Sequence, residues 1–305
     1  MRDPEYDSFG PWIIEISELD PPPPLFLPYL TREENPLFSI KIPRKIDRRA
    51  AHPGMNLYDY LVTLYQEDFV ILKRVGDEVS SEAFFYKEIQ HLRHSEHLLK
   101  GNLHLAMMGK SYDLPFNTVS ADIMRRLAEL IRERYTGEAE RAATVGDKGI
   151  PEDNLSYYFS RLLAQEKVLN PPFQVLASQT ETPVGSYETR PLHKLLFGII
   201  SKRLLESLHL SDGRELKIIS RGKIYKYKGQ SVYGIEVCTI PTSKIIGITW
   251  EPDPKNTAVL KLILQTAGGT LTFAFIRDNP SLRSYTRFLS AALGLPEGSN
   301  AKIQP

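Results

Sequence analysis

Leu210-Ser-Asp-Gly-Arg-Glu-Leu216 and Ile240-Pro-Thr-Ser-Lys-Ile-Ile-Gly-Ile248 are the stretches that decide how this chain is read. The Asp-Gly step admits the positive φ angles of a hairpin turn. The apolar runs on either side, Leu204 to Leu210 and Glu215 to Ile219, have the composition of the two strands it would join. Downstream, strands are expected at Lys223 to Lys228, Val232 to Ile240, Ser243 to Trp250, Ala258 to Gln265 and Thr270 to Ile276. Gly268-Gly269 joins the last two and precedes no helix, so it reads as a hairpin turn. A closing helix is expected over Pro280 to Leu293. Asn279 is its N-cap, Pro280 takes the first helical position, and Gly294 and Pro296 end it. Its apolar face is Tyr285, Phe288, Leu289 and Ala292.

The first half has a similar order. Strands are expected at Tyr60 to Tyr65 and Phe69 to Lys73, then at Ala83 to Ile89, Leu98 to Met107 and Ser111 to Phe116. A helix follows from Ser120 to Tyr135, with Ile123, Leu127, Leu130 and Ile131 on one face. Thr136 to Gly149 reads as a linker. A further helix, capped by Asn154 and stopped by Asn170-Pro171-Pro172, opens the second half. The segment Phe173 to Lys202 has no readable pattern. Set side by side, the halves match in element order and apolar pattern, which marks an internal repeat.

With these residues in view, the chain resembles the pleckstrin-homology (PH) superfold, especially its bacterial PH-like and GRAM-like members. The shared features are the Leu210 to Leu216 hairpin, the "Ile-Pro-x-Ser-Lys-Ile-x-x-Ile" strand entry at Ile240 to Ile248, and one closing helix per half. The resemblance covers about Leu204 to Leu293, and more weakly Tyr58 to Tyr135. It implies an α+β, mainly β fold: two tandem PH-like modules, each a bent antiparallel sheet closed by a C-terminal helix.

Three regions are expected. Residues 1–55 hold ten of the 22 prolines, including Pro21 to Pro24, and read as a proline-rich extended arm. Trp12, Ile13, Leu25, Phe26 and Phe38 are too apolar for a free tail, so the arm is expected to pack on a domain. Residues 56–150 form the first PH-like module and linker. Residues 151–305 form the second, with an N-terminal helix and a short disordered tail.

The 38 basic and 37 acidic side chains leave a net charge of +1, which argues against a nucleic-acid coat. Cys238 is the single cysteine, so no internal disulfide and no C-x-x-C metal pair can form. No apolar run is long enough to span a bilayer and none resembles a signal peptide, so a cytoplasmic location is expected.

No G-x-S-x-G, H-E-x-x-H, P-loop or G-x-G-x-x-G is present. The expectation is a protein that is not an enzyme and uses no cofactor. His91, His94 and His97, with His104 nearby, invite a metal reading. Their i, i+3, i+6 spacing alternates faces on a strand, so no metal site is expected and they read as a solvated strand end. Two basic clusters remain. One is Lys41, Arg44, Lys45, Arg48 and Arg49. The other, Arg221, Lys223, Lys226 and Lys228, is interleaved with Tyr225 and Tyr227 and is the candidate anion- or partner-binding segment. In eukaryotic PH domains, basic residues near an early hairpin hold a phosphoinositide headgroup. This chain departs from the tight K-x(n)-[KR]-x-R form of that motif. The leading expectation is a non-enzymatic interaction module or scaffold that binds a protein or peptide. The alternative is a peripheral binder of an anionic membrane surface or phosphate headgroup.

Overall fold

The computed structural model describes residues 4–137, 155–184, 202–254 and 256–294. Most of the expected linker, the Asn154 cap, the chain after Gly294 and residues 185–201 lie outside the described residues. The fold is mainly β, with antiparallel sheets and few helices. The chain divides into two compact units. One comprises Met1–Ile89, Glu96–Leu105 and Ser111–Gly137; the other comprises Gln90–Ser95, Ala106–Lys110 and Glu138–Pro305.

The first unit begins with a short helix α1 (Pro4–Ser8) and β1 (Ile14–Glu15). Next come β2 (Phe38–Pro43), β3 (Tyr58–Leu64), β4 (Asp68–Val75) and β5 (Glu78–Phe85). They form one antiparallel sheet in sequence order. The sheet therefore starts inside the proline-rich region, earlier than the sequence suggests. The reason is that β2 is covered on both faces. Phe38, Ile40 and Ile42 are buried, and so are Ser39 and Lys41 between them. Ser39 Oγ lies 2.9 Å from Thr63 Oγ1, and Lys41 Nζ donates to the Pro21 carbonyl at 3.0 Å. With its polar positions satisfied inside, β2 shows no solvent alternation.

The rest of this region covers the sheet. Phe9 and Phe26 pack with Ala51, Leu57, Tyr58, Leu61 and Leu72. Lys41, Arg44 and Arg48 of the first basic cluster serve that packing, and Lys45 and Arg49 are exposed. Arg48 donates to the carbonyls of Phe9 and Asp7, and Arg44 donates to the carbonyl of Asn56.

A 3₁₀ turn at Tyr86–Glu88 leads to β6 (Ile89–His97), β7 (Lys100–Met107), β8 (Lys110–Asn117) and helix α2 (Ala121–Gly137). Met124, Leu127, Ala128 and Ile131 are the buried stripe of α2. Ser120, the residue at which this helix was expected to start, does not cap it. Its Oγ is buried and accepts the Ile13 N–H at 2.9 Å, while Asn117 caps the preceding 3₁₀ turn through the Val119 N–H.

Besides the Gln90–Ser95 and Ala106–Lys110 segments, the second unit contains α3 (Tyr157–Leu169), capped by Ser156 Oγ accepting from the Phe159 N–H. Then come β9 (Gln174–Gln179), β10 (Thr182–Val184), β11 (Lys202–Leu204), β12 (Ser207–Ser211) and β13 (Glu215–Ser220). They are followed by β14 (Tyr225–Tyr227), β15 (Ile235–Pro241), β16 (Gly247–Asp253), β17 (Asn256–Thr266) and β18 (Gly269–Ile276). Helix α4 (Leu282–Ala292) closes the unit.

Strands β9, β12, β13 and β15 are antiparallel neighbours in that order, and β16, β17 and β18 form a second meander. At the β12–β13 turn Gly213 has φ of 90°, and Asp212 Oδ1 accepts from the backbone N–H groups of Arg214 and Glu215. The Asp-Gly signal thus has a side-chain mechanism as well as a backbone one.

Two faces meet under α4. Leu282, Tyr285, Phe288 and Leu289 pack in one cluster with Leu216, Ile218 and Ile240 from the first meander and Leu262, Leu264 and Phe275 from the second. Helix α3 covers the other face, where Phe159 and Leu163 meet Val175, Leu208, Leu210 and Ile219. The expected single strand Leu204 to Leu210 is instead broken at Leu205 and Glu206. Leu205 there donates its N–H to the Ile224 carbonyl at 2.8 Å. That break shapes the site described next.

Candidate functional site

The four expected binding residues do not converge. Gly222, with φ of 69°, turns the chain out of β13, and only Tyr225–Tyr227 of the expected Lys223 to Lys228 strand pairs, with β11. Arg221 folds back against its own unit. Its guanidinium stacks 4.4 Å over the Tyr158 ring and 5.2 Å over Phe159, and its Nη2 lies 3.6 Å from Glu206 Oε2. Lys226 Nζ lies 2.6 Å from Glu181 Oε2, and Arg203 Nε meets the other oxygen of Glu181. Lys223 and Lys228 are exposed. Two of the four cations are therefore anchored, Arg221 against α3 and Lys226 to Glu181, and two face solvent.

Beside Lys223, the one of the four that lines it, a cleft of about 200 Å³ opens in the second unit. Its walls come from the Leu204–Ser207 break, the Ser220–Ile224 turn and Thr272–Ala274 of β18. Arg93, Glu206, Lys223 and Glu236 give it both signs of charge, while Leu204, Ile224 and Phe273 supply apolar surface. Glu206 is 7% exposed. Among the described residues its carboxylate has the loose Arg221 contact and accepts no hydrogen bond. Sequence reading missed it, because nothing local distinguishes this glutamate from a surface one.

Beside the cleft lies a polar relay that sequence reading also missed. His209 is fully buried, with Nδ1 2.8 Å from Tyr285 Oη and Nε2 3.2 Å from Ser207 Oγ. Burial lowers the imidazole to about 3. A histidine so placed is neutral near pH 7 and is a poor acceptor for a serine proton, whose removal needs a base poised close to neutrality. Burial also pushes the Tyr285 hydroxyl well above its usual range. The relay suits a satisfied core network better than a nucleophile and base.

The second meander ends in an open strand. Among the described residues β16 pairs with β17 and with no strand on its other side. Ile248 and Trp250 are half-buried against the α4 core cluster, Trp250 lying 5.8 Å from the Phe275 ring, and Ile246 is exposed. Pro252 has no N–H to give and is tolerated where a strand's N–H side faces away from its partner. By alternation, the N–H groups of Trp250 and Ile248 face the same open edge.

The histidines are arranged otherwise than expected. His91 and His94 are buried on β6 and only His97 is exposed, so this is no solvated strand end. All of Ile89 to Leu92 is buried, which places both faces of β6 out of solvent there. His104 Nδ1 lies 3.0 Å from Asp113 Oδ1. Among the described residues no group of three or more His, Cys, Asp or Glu side chains is arranged to hold a metal ion. Cys238 is buried in the α4 cluster, and burial raises its thiol well above the usual range, which opposes thiolate chemistry. Among the described residues no helix is long and apolar enough to cross a membrane.

No protein-family model matches the chain, and no curated protein matches it.

Proposed function

We propose that this protein is a non-enzymatic interaction module of two PH-like halves that binds an extended segment of a protein partner along β16. The observation that carries the reading is the open edge of β16. Among the described residues it offers backbone groups with no strand partner beside half-buried Ile248 and Trp250, the combination by which a sheet accepts an added strand. Main-chain bonds would supply affinity, and alternate side chains would supply selectivity.

The PH-like reading is supported by element order. In the first half, β5, a 3₁₀ turn and β6 to β8 precede α2; in the second, β15, a 3₁₀ turn and β16 to β18 precede α4. The two 3₁₀ turns, Tyr86–Glu88 and Thr242–Lys244, fall at matching points of the repeat.

Selection of a random peptide library against the full chain, with counter-selection on Ile246→Lys, tests this reading. Ile246 is 66% exposed, so the added charge leaves the core intact. Binders that discriminate between the two proteins are expected. A selection without binders, or with binders indifferent to the change, contradicts it.

The alternative of an anionic membrane surface is favoured by one feature: Lys223, Lys228, Tyr227 and Tyr233 are all exposed in one short segment. Sedimentation with anionic liposomes at low and high salt separates the two readings, because surface charge attraction falls with ionic strength.

A further inference from the structure

Glu206 is a carboxylate more than nine-tenths buried, open to a cleft, with no hydrogen-bond donor among the described residues. Its oxygens are not among the buried side-chain atoms left without a partner, so they open to the cleft and can accept hydrogen bonds there. Its nearest cation, Arg221, is directed by two aromatic rings and stays 3.6 Å away, outside hydrogen-bond range. The position is suited to N–H donors that arrive with a ligand.

The rest of the lining limits that ligand. Lys223 stands on the same cleft, exposed and with no acidic partner among the described residues. Arg93 and Glu236 complete the charged lining. A simple cation would face Arg93 and Lys223, and a simple anion would face two carboxylates, so each meets a repulsive group. A molecule carrying both charges can set its cation on a carboxylate and its anion on the lysine of the same lining. The volume of about 200 Å³ is below the roughly 300–1,000 Å³ of sites for larger organic ligands, so few heavy atoms fit. Leu204, Ile224 and Phe273 provide an apolar wall.

We infer that this cleft binds a small zwitterion of amino-acid size, its ammonium group on Glu206 and its carboxylate toward Lys223. The site shares no residue with the β16 edge, so it stands or falls independently of peptide binding there.

Calorimetric titration of the full chain with L-leucine, leucinamide and N-acetyl-leucine tests it. Leucine carries both charges and an apolar side chain; the amide removes the carboxylate and the acetyl group removes the ammonium. Saturable binding of leucine is expected, with each blocked analogue at least about tenfold weaker, a loss of about 1.4 kcal/mol. Glu206→Gln should abolish the preference for leucine over N-acetyl-leucine, and Lys223→Ala the preference over leucinamide. Circular dichroism checks that both variants fold. If Glu206→Gln does not fold, the comparison of analogues on the native protein still decides. Equal binding of the three compounds, or no saturable binding of leucine in the millimolar range, overturns the inference.

Discussion

His209 Nδ1 lies 2.8 Å from Tyr285 Oη, joining β12 to the closing helix α4 inside the core of the second unit. The contact brings residues 76 positions apart together, and Phe273 and Phe275 pack their rings on the same imidazole at 5.3 and 4.9 Å. Burial of the imidazole also couples folding to pH. Unfolded, the imidazole titrates near its ordinary value of 6.5; folded, it resists protonation down to about 3. Between those values the unfolded chain binds the extra proton. Stability is therefore complete above the unfolded value and declines as pH falls through the window. From about pH 7 to about pH 5 the loss should be about 2 kcal/mol, read by chemical denaturation. A His209→Leu variant should show a much shallower slope; an unchanged slope would assign the pH dependence to other groups.

Phe288 contributes to the same α4 cluster and is 7% exposed. Phe288→Ala should cost about 3–5 kcal/mol, since it removes a ring from between two sheets and leaves a cavity. A loss below about 1 kcal/mol would mean that the helix is not seated as described.

Lys217 Nζ lies 2.8 Å from Glu166 Oε2, the two side chains being 4% and 15% exposed. Removing one partner leaves a buried charge, so Glu166→Ala should cost about 3–5 kcal/mol. The double change Lys217→Met with Glu166→Leu should restore stability to within about 1 kcal/mol of the native protein. A double variant as unstable as the single one would show that the pair does more than cancel charge.

The basic segment should divide by environment. Arg221→Ala removes the stacking on Tyr158 and Phe159 and leaves Glu206 without its cation, a loss of about 1–3 kcal/mol. Lys228→Ala, at an exposed position, should stay within about 0.5 kcal/mol. Thermal denaturation of the two variants side by side checks this; equal effects would contradict the division into anchored and exposed cations.

What could be read from the sequence was chiefly punctuation. Asp212-Gly213 and Gly268-Gly269 mark turns because a glycine there has positive φ, and Gly294 ends α4 for the same reason. Strands β2 and β6 were hidden because both of their faces are buried, so polar residues such as Ser39, Lys41, His91 and His94 lie inside and the solvent alternation disappears. Burial of polar groups depends on partners far along the chain, as when Glu166 meets Lys217, 51 positions later. The same limit applies to the cleft. Lys223 stood out as part of a charge run, whereas Glu206 becomes distinctive only once the fold buries it without a donor.

The proposed role depends above all on the open edge of β16, and amide hydrogen exchange observes that edge directly. Unbound, the amides of Ile248 and Trp250 face the unpaired side and should exchange quickly. With a library-selected peptide bound, the account predicts slowed exchange at Ile248 and Trp250, whereas the Ile246 amide already donates to the Gln265 carbonyl at 2.8 Å. Protection confined to other strands, with these amides unchanged, would contradict strand addition at β16 and with it the central claim.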